Sequence, residues 1–124
     1  MADSFGLKIG IEGEKEFKNA LREINQTFKV LGSEMNLVTS QFDKQDKSIQ
    51  AITARNNVLN KEIEAQKEKI STLEAALKNA SDSFGETDRR TQNWATQLNN
   101  AKAELNNMER ELEESAADAD KLGD

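Results

Sequence analysis

From Phe17 onward the apolar residues of this chain recur at alternating spacings of four and three, through Leu21, Ile24, Phe28, Leu31, Met35, Val38 and Phe42. The register runs on through Gln45, Ile49, Ile52, Asn56, Leu59, Ile63, Gln66, Ile70, Leu73, Leu77, Ala80 and Phe84. A seven-residue repeat sustained over so many turns implies a left-handed supercoil, because a straight helix of 3.6 residues per turn drifts off the seam. An amphipathic helix lying on a globule would need other apolar segments to build that globule. Composition offers none: of 124 residues, 35% are hydrophobic, 32% are charged and none is proline. The expected fold is therefore all-α and elongated, built on heptad-repeat helices.

Helix-favouring residues thin out in "NASDSFGETDRRTQ", where Ser81, Asp82, Ser83, Gly85, Thr87 and Asp88 cluster. A helix can end at Phe84, turn at Gly85 and restart with Thr87 or Asp88 as N-cap. Beyond it Trp94, Leu98, Ala101, Leu105, Met108, Leu112, Ala119 and Leu122 resume the heptad in phase. A long coil could run through this segment, or residues 49–83 could fold back on residues 88–122. Folding back with paired numbers summing to 171 sets Leu77 against Trp94, Leu73 against Leu98, Ile70 against Ala101 and Ile63 against Met108. Lys69 then approaches Glu104 and Arg55 approaches Asp118, while Glu62 meets Glu111 unfavourably. The expected organisation is a long heptad helix over 14–83 with a possible kink at Gly32-Ser33, a turn at 84–88 and a second helix over 89–122. A helical hairpin is favoured, since glycine and capping residues over a few positions make a normal helix-to-helix connection.

Ahead of these helices, "FGLKIGIEGEKEF" alternates Phe5, Leu7, Ile9 and Ile11 with small or polar residues. Period two is the signature of a strand with one buried face. A strand over 5–12 is expected, within a leader of residues 1–13, and no other segment of the chain offers it a partner strand. Its natural partners are then another copy, another protein or a segment beyond this sequence.

Net charge is −6, and residues 84–124 hold ten acids against five bases while the rest is nearly balanced. No basic stripe able to track phosphates is present, so nucleic-acid binding is not expected. The absence of cysteine and histidine removes the thiolate nucleophile, the disulfide and the commonest metal ligand. The glycines of "FGLKIGIEG" fit neither the Walker nor the dinucleotide spacing, and "MERELEESAADAD" lacks the glycine turn of a calcium loop. No apolar run approaches the roughly 20 residues needed to span a bilayer. An enzyme, a cofactor and a resident metal are not expected.

What remains is interaction. Phe5, Leu7, Ile9 and Ile11 form a candidate docking edge, and Ile49, Ile52, Asn56, Leu59, Ile63, Ile70, Leu73, Leu77 and Trp94 a candidate seam. Asn56 and Gln66 interrupt that seam, and buried polar residues of this kind can fix register at a cost in stability. In a parallel assembly Glu62 faces Lys67 and Lys69 faces Glu74, so a homo-oligomer through the coiled coil is expected.

The order "FGLKIGIEGEKEFKNALREIN", a long heptad helix and "LKNASDSFGETDRRTQNWATQLNNAKAELNNMERELE" resembles the N-terminal region of tail tape measure proteins of long-tailed bacteriophages and phage-tail-like particles. The resemblance implies a structural role: several copies occupy the tail tube lumen and their extended length sets how many tube rings stack. Implied partners are tail tube, baseplate or tail assembly proteins. The implied location is the host cytoplasm during assembly and then the virion tail. A helix advances about 1.5 Å per residue, so 124 residues reach only roughly 190 Å, and a fragment of a longer chain is expected. The rival reading is a secreted or cytosolic helical-hairpin adaptor; a coiled-coil appendage of an enzyme is a third.

Overall fold

The computed structural model describes residues 10–43 and 46–123, with side chains described through Asp118. It has three helices, α1 (Ile11–Gln41), α2 (Ile49–Phe84) and α3 (Arg89–Gly123). Each reverses the direction of the one before. The middle helix α2 packs along both neighbours, which touch each other far less.

Helix α1 begins where Gly10 turns the chain with φ +78°, a conformation that side chains with a Cβ rarely adopt. Glu12 and Glu14 occupy its first turn, where carboxylates face the positive end of the macrodipole. Asn79 on α2 holds this start from the side: the Gly10 N–H donates to Asn79 Oδ1 at 2.9 Å, and Asn79 Nδ2 donates to the Gly10 carbonyl at 3.3 Å. The expected strand over 5–12 is corrected at its C-terminal end. Ile11 and Glu12 are helical, because Gly10 reverses the backbone before the alternation can continue, and Ile11 is 65% exposed. Phe5, Leu7 and Ile9 lie outside the described residues.

The single helix expected over 14–83 is two helices. Residues 42–48 separate them, beginning at Phe42, whose backbone is extended and whose N–H still bonds the Val38 carbonyl. Ser48 caps α2 by accepting from the Ala51 N–H, while Asp46 accepts from the Ser48 N–H at 2.8 Å. Arg55 donates to the Asp46 carbonyl and ties the connection to α2. That connection spans one heptad, so the apolar register passes through it unshifted. Through Gly32-Ser33, the site of the possible kink, α1 continues without a stop, with Ser33 Oγ donating to the Val30 carbonyl at 2.7 Å.

The second connection falls where the sequence places it. Gly85 closes α2 with φ +93°, and its N–H bonds the Ser81 carbonyl at 3.0 Å. Asp88 caps α3, accepting from the Arg90 N–H at 2.8 Å, and Thr91 Oγ1 donates to the Gly85 carbonyl at 2.7 Å. The Arg90 guanidinium lies 3.4 Å from the centroid of the Phe84 ring and also pairs with Asp88. Those charge-assisted bonds from Arg90 hold the Asp88 carboxyl below its ordinary pKa.

All three helices meet in one core of Leu21 and Ile24 from α1, Leu73, Ala76 and Ala80 from α2, and Trp94, Leu98 and Ala101 from α3. Ile70 and Leu77 pack against it, so the layers expected to pair by the sum of 171 come together within one chain. Further along, Leu31 and Val38 of α1 are buried, as are Ala51, Val58, Leu59 and Ile63 of α2. Small residues explain how α2 carries two neighbours. Ala51, Ala65 and Ala76, off the heptad seam, allow α1 close approach on a second face.

Candidate interaction surface

Most of the candidate seam is used inside the molecule. Ile52, Leu59, Ile63, Leu73 and Trp94 are buried, Asn56, Ile70 and Leu77 are half-buried, and Ile49 is 50% exposed at the start of α2. A parallel intermolecular coil over Ile49–Leu77 would need these side chains outward. The hairpin turns them inward.

The polar breaks in the seam have structural partners or locations. Gln66 is fully buried, and its Nε2 donates to the Ala101 carbonyl at 2.9 Å and reaches Glu104 Oε2 at 3.5 Å. That bond joins α2 to α3 at a fixed level. Its Oε1, and Asn56 Oδ1, are buried without a donor among the described residues. Glu62 and Glu111 come near each other as the fold-back pairing requires. Burial first, and then the Glu111 charge, push the Glu62 carboxyl above its ordinary pKa.

Charges expected to meet across the hairpin also find partners elsewhere. Lys69 lies 5.8 Å from the Phe28 ring centroid on α1, a cation–π contact, where Glu104 was expected. Lys47, in the first connection, pairs with Asp118 at 2.7 Å, and Arg55 lines the same recess as Asp118, as the fold-back pairing expects. Both added contacts come from features the heptad does not encode, the helix α1 and the break at 42–48. Lys61 pairs with Glu34 at 3.1 Å and adds a link between α1 and α2.

One buried contact joins α1 to α3 near the turn end. Trp94 donates its indole N–H to the Glu14 carboxylate, and both residues are buried. Glu14 also has Lys18 at 3.9 Å. Glu14 does not stand out in the sequence, because an acid in a first turn reads as a dipole partner. The available signal was its place on the line Glu14, Leu21, Phe28, Met35, which is an a position.

Because α1 and α3 both lean on α2, a groove of about 390 Å³ opens between them. Leu21 and Trp94 form its floor, and Lys18, Arg22 and Lys29 stand along the α1 bank. Farther down the same side, Met35, Lys47, Arg55, Glu111, Glu114 and Asp118 line a second recess that is rich in carboxylates. The surface between α1 and α3 is thus basic at one end and acidic at the other. The basic bank is not legible in the sequence, since its three cations are scattered among neutral and acidic neighbours and share a face only on the folded helix.

Among the described residues, no cluster of three His, Cys, Asp or Glu is placed to hold a metal ion, and no helix is long and apolar enough to cross a membrane. Comparisons with protein families, curated proteins and solved structures give no match to this chain.

Proposed function

We propose that this chain is a structural segment of a phage tail protein of the tape measure class, which scaffolds tube assembly and sets tail length through helices in the tube lumen. What supports the reading, beyond the sequence resemblance, is the phase of the two connections. Residues 42–48 and 85–88 both leave the heptad register intact, so straightening them would produce one apolar seam from Phe17 to Leu112 and beyond. The folded chain spans roughly 55 Å, the length of α2 at about 1.5 Å per residue. Length measurement belongs to the opened form, in which the same seam residues leave the hairpin and pair between copies, and residue count becomes distance.

The test is genetic and dimensional. Removing residues 52–86, five in-phase heptads, from the intact gene should shorten the tails seen by electron microscopy by roughly 52 Å of helix, or the nearest whole number of tube rings. Tails of unchanged length, or a chain not found in tail particles by mass spectrometry, contradict the proposal. The second outcome would favour a helical-hairpin adaptor acting through protein–protein contacts, a reading that the intramolecular packing of α2 on α3 suits.

A further inference from the structure

We infer that the groove between α1 and α3 is a docking site for a second copy of this chain, whose acidic half of α3 lies in it antiparallel as a fourth helix. This goes beyond the tail proposal and rests on none of it. Three observations carry the inference.

The first is architectural. α1 and α3 run in the same direction and each packs more extensively on α2 than on the other, leaving an open groove between residues 18–29 of α1 and Trp94 and Gln97 of α3. A helix entering it antiparallel to both completes an up-down-up-down bundle, the common four-helix topology, with every adjacent macrodipole opposed.

Charge complementarity is the second. Arg22 and Lys29 are exposed on the α1 bank and make no salt bridge with α3 among the described residues. Residues 104–118 of α3 carry Glu104, Glu109, Glu111, Glu113, Glu114 and Asp118 against one base, Arg110. Glu109, Glu113 and Glu114 are exposed and free to meet a neighbour's cations. A bank of bases on a chain of net charge −6 selects an acidic partner, and the chain carries one itself.

Symmetry is the third. If one copy's acidic stretch enters the other's groove antiparallel, a two-fold axis makes the second copy do the same, so both sets of charges are satisfied in one closed, isologous contact. Matching the middle of the basic bank to the middle of the acidic stretch puts that axis beside Asn106 and Asn107. Both are exposed amides, able to donate to and accept from their own counterparts.

Analytical ultracentrifugation of the full chain tests this. Wild type should sediment as a dimer at about 20 mM salt and weaken at least roughly tenfold at about 500 mM, since exposed ion pairs are screened. R22E/K29E should be monomeric alone, as should E109K/E113K/E114K, each with an unchanged far-UV circular dichroism spectrum. Lys18 is left in place because it neighbours the buried Glu14. Mixed one to one, the two reversed proteins should recover the dimer, because each groove then faces a tail of opposite sign. A wild type that stays monomeric, association that the reversals leave unchanged, mass that climbs past the dimer with concentration, or a mixture that fails to associate would overturn the inference. So would a monomeric wild type that binds polyphosphate or duplex DNA through Arg22 and Lys29, which would assign the groove to phosphates.

Discussion

Trp94 on α3 donates its indole N–H to the carboxylate of Glu14 on α1, and both side chains are shut away from solvent at the core where all three helices meet. The bond makes α1 a member of the core rather than a helix resting on a hairpin. Glu14→Ala leaves the indole N–H buried without an acceptor and should cost about 2 kcal/mol of unfolding free energy. Glu14→Gln keeps a carbonyl acceptor and should lose about half as much, since only the charge assistance goes. Urea denaturation followed by Trp94 fluorescence reads both. Equal losses would mean that the carboxylate acts through charge alone.

Gly85 holds a backbone conformation that only glycine adopts without strain. Its φ is +93°, yet nothing lies within 4 Å of where a Cβ would stand. Gly85→Ala should therefore destabilise by about 1–2 kcal/mol through the backbone and not through a clash. Gly32→Ala is the control, being helical with open space around it, and should stabilise by up to about 1 kcal/mol. Thermal melts of the two variants should move in opposite directions.

Gln66 separates fixing register from adding stability. Its amide bonds the Ala101 carbonyl while its own carbonyl has no donor among the described residues, so the pair's net contribution is small. Gln66→Leu fills the same space without an orphan acceptor and should lie within about 1 kcal/mol of wild type. Gln66→Ala leaves a cavity and should lose about 2–4 kcal/mol. A loss for the leucine variant as large as for the alanine variant would show that the hydrogen bond, not the volume, holds the layer.

Acid should relieve the contact between Glu62 and Glu111. The Glu62 carboxyl titrates above its ordinary range in the folded chain, so its protonated form favours folding: the contribution is complete below the unfolded pKa and is lost as pH rises through the folded one. Glu62→Gln should raise the melting temperature at neutral pH, and the advantage should vanish below the ordinary glutamate range. Asp46 and Asp88 oppose this trend. Hydrogen bonds from Ser48 and from Arg90 hold their pKa values down, and their contributions fade on acidification. Comparing the variant with wild type at each pH isolates Glu62.

How far the sequence reveals this molecule depends on what a heptad can encode. The 84–88 turn was legible because Gly85 and Asp88 carry their own geometry, and the pairing of Leu73 with Leu98 followed from the turn. The break at 42–48 was hidden because it is one heptad long: Phe42 and Ile49 keep the register, and only Asp46 and Ser48 betray a new helix start. The place of α1 was hidden for another reason. A heptad marks one seam, whereas α2 has a second, written in Ala51, Val58, Ala65 and Ala76, whose small or compact side chains let α1 approach. The basic bank of the candidate site is a property of packing, since Arg22 and Lys29 face α3 only after α1 docks.

The claim underlying all of this is that the heptad seam closes within one chain. Spin labels at exposed Gln50 on α2 and exposed Glu113 on α3, measured by pulsed electron paramagnetic resonance, test it most directly. A hairpin sets the two labels at the same end of the bundle, so a distance under about 35 Å is expected, unchanged when labelled protein is diluted into unlabelled. A continuous helix would hold them roughly 95 Å apart at about 1.5 Å per residue. The absence of any short distance, or a short distance that disappears on dilution, would contradict the account.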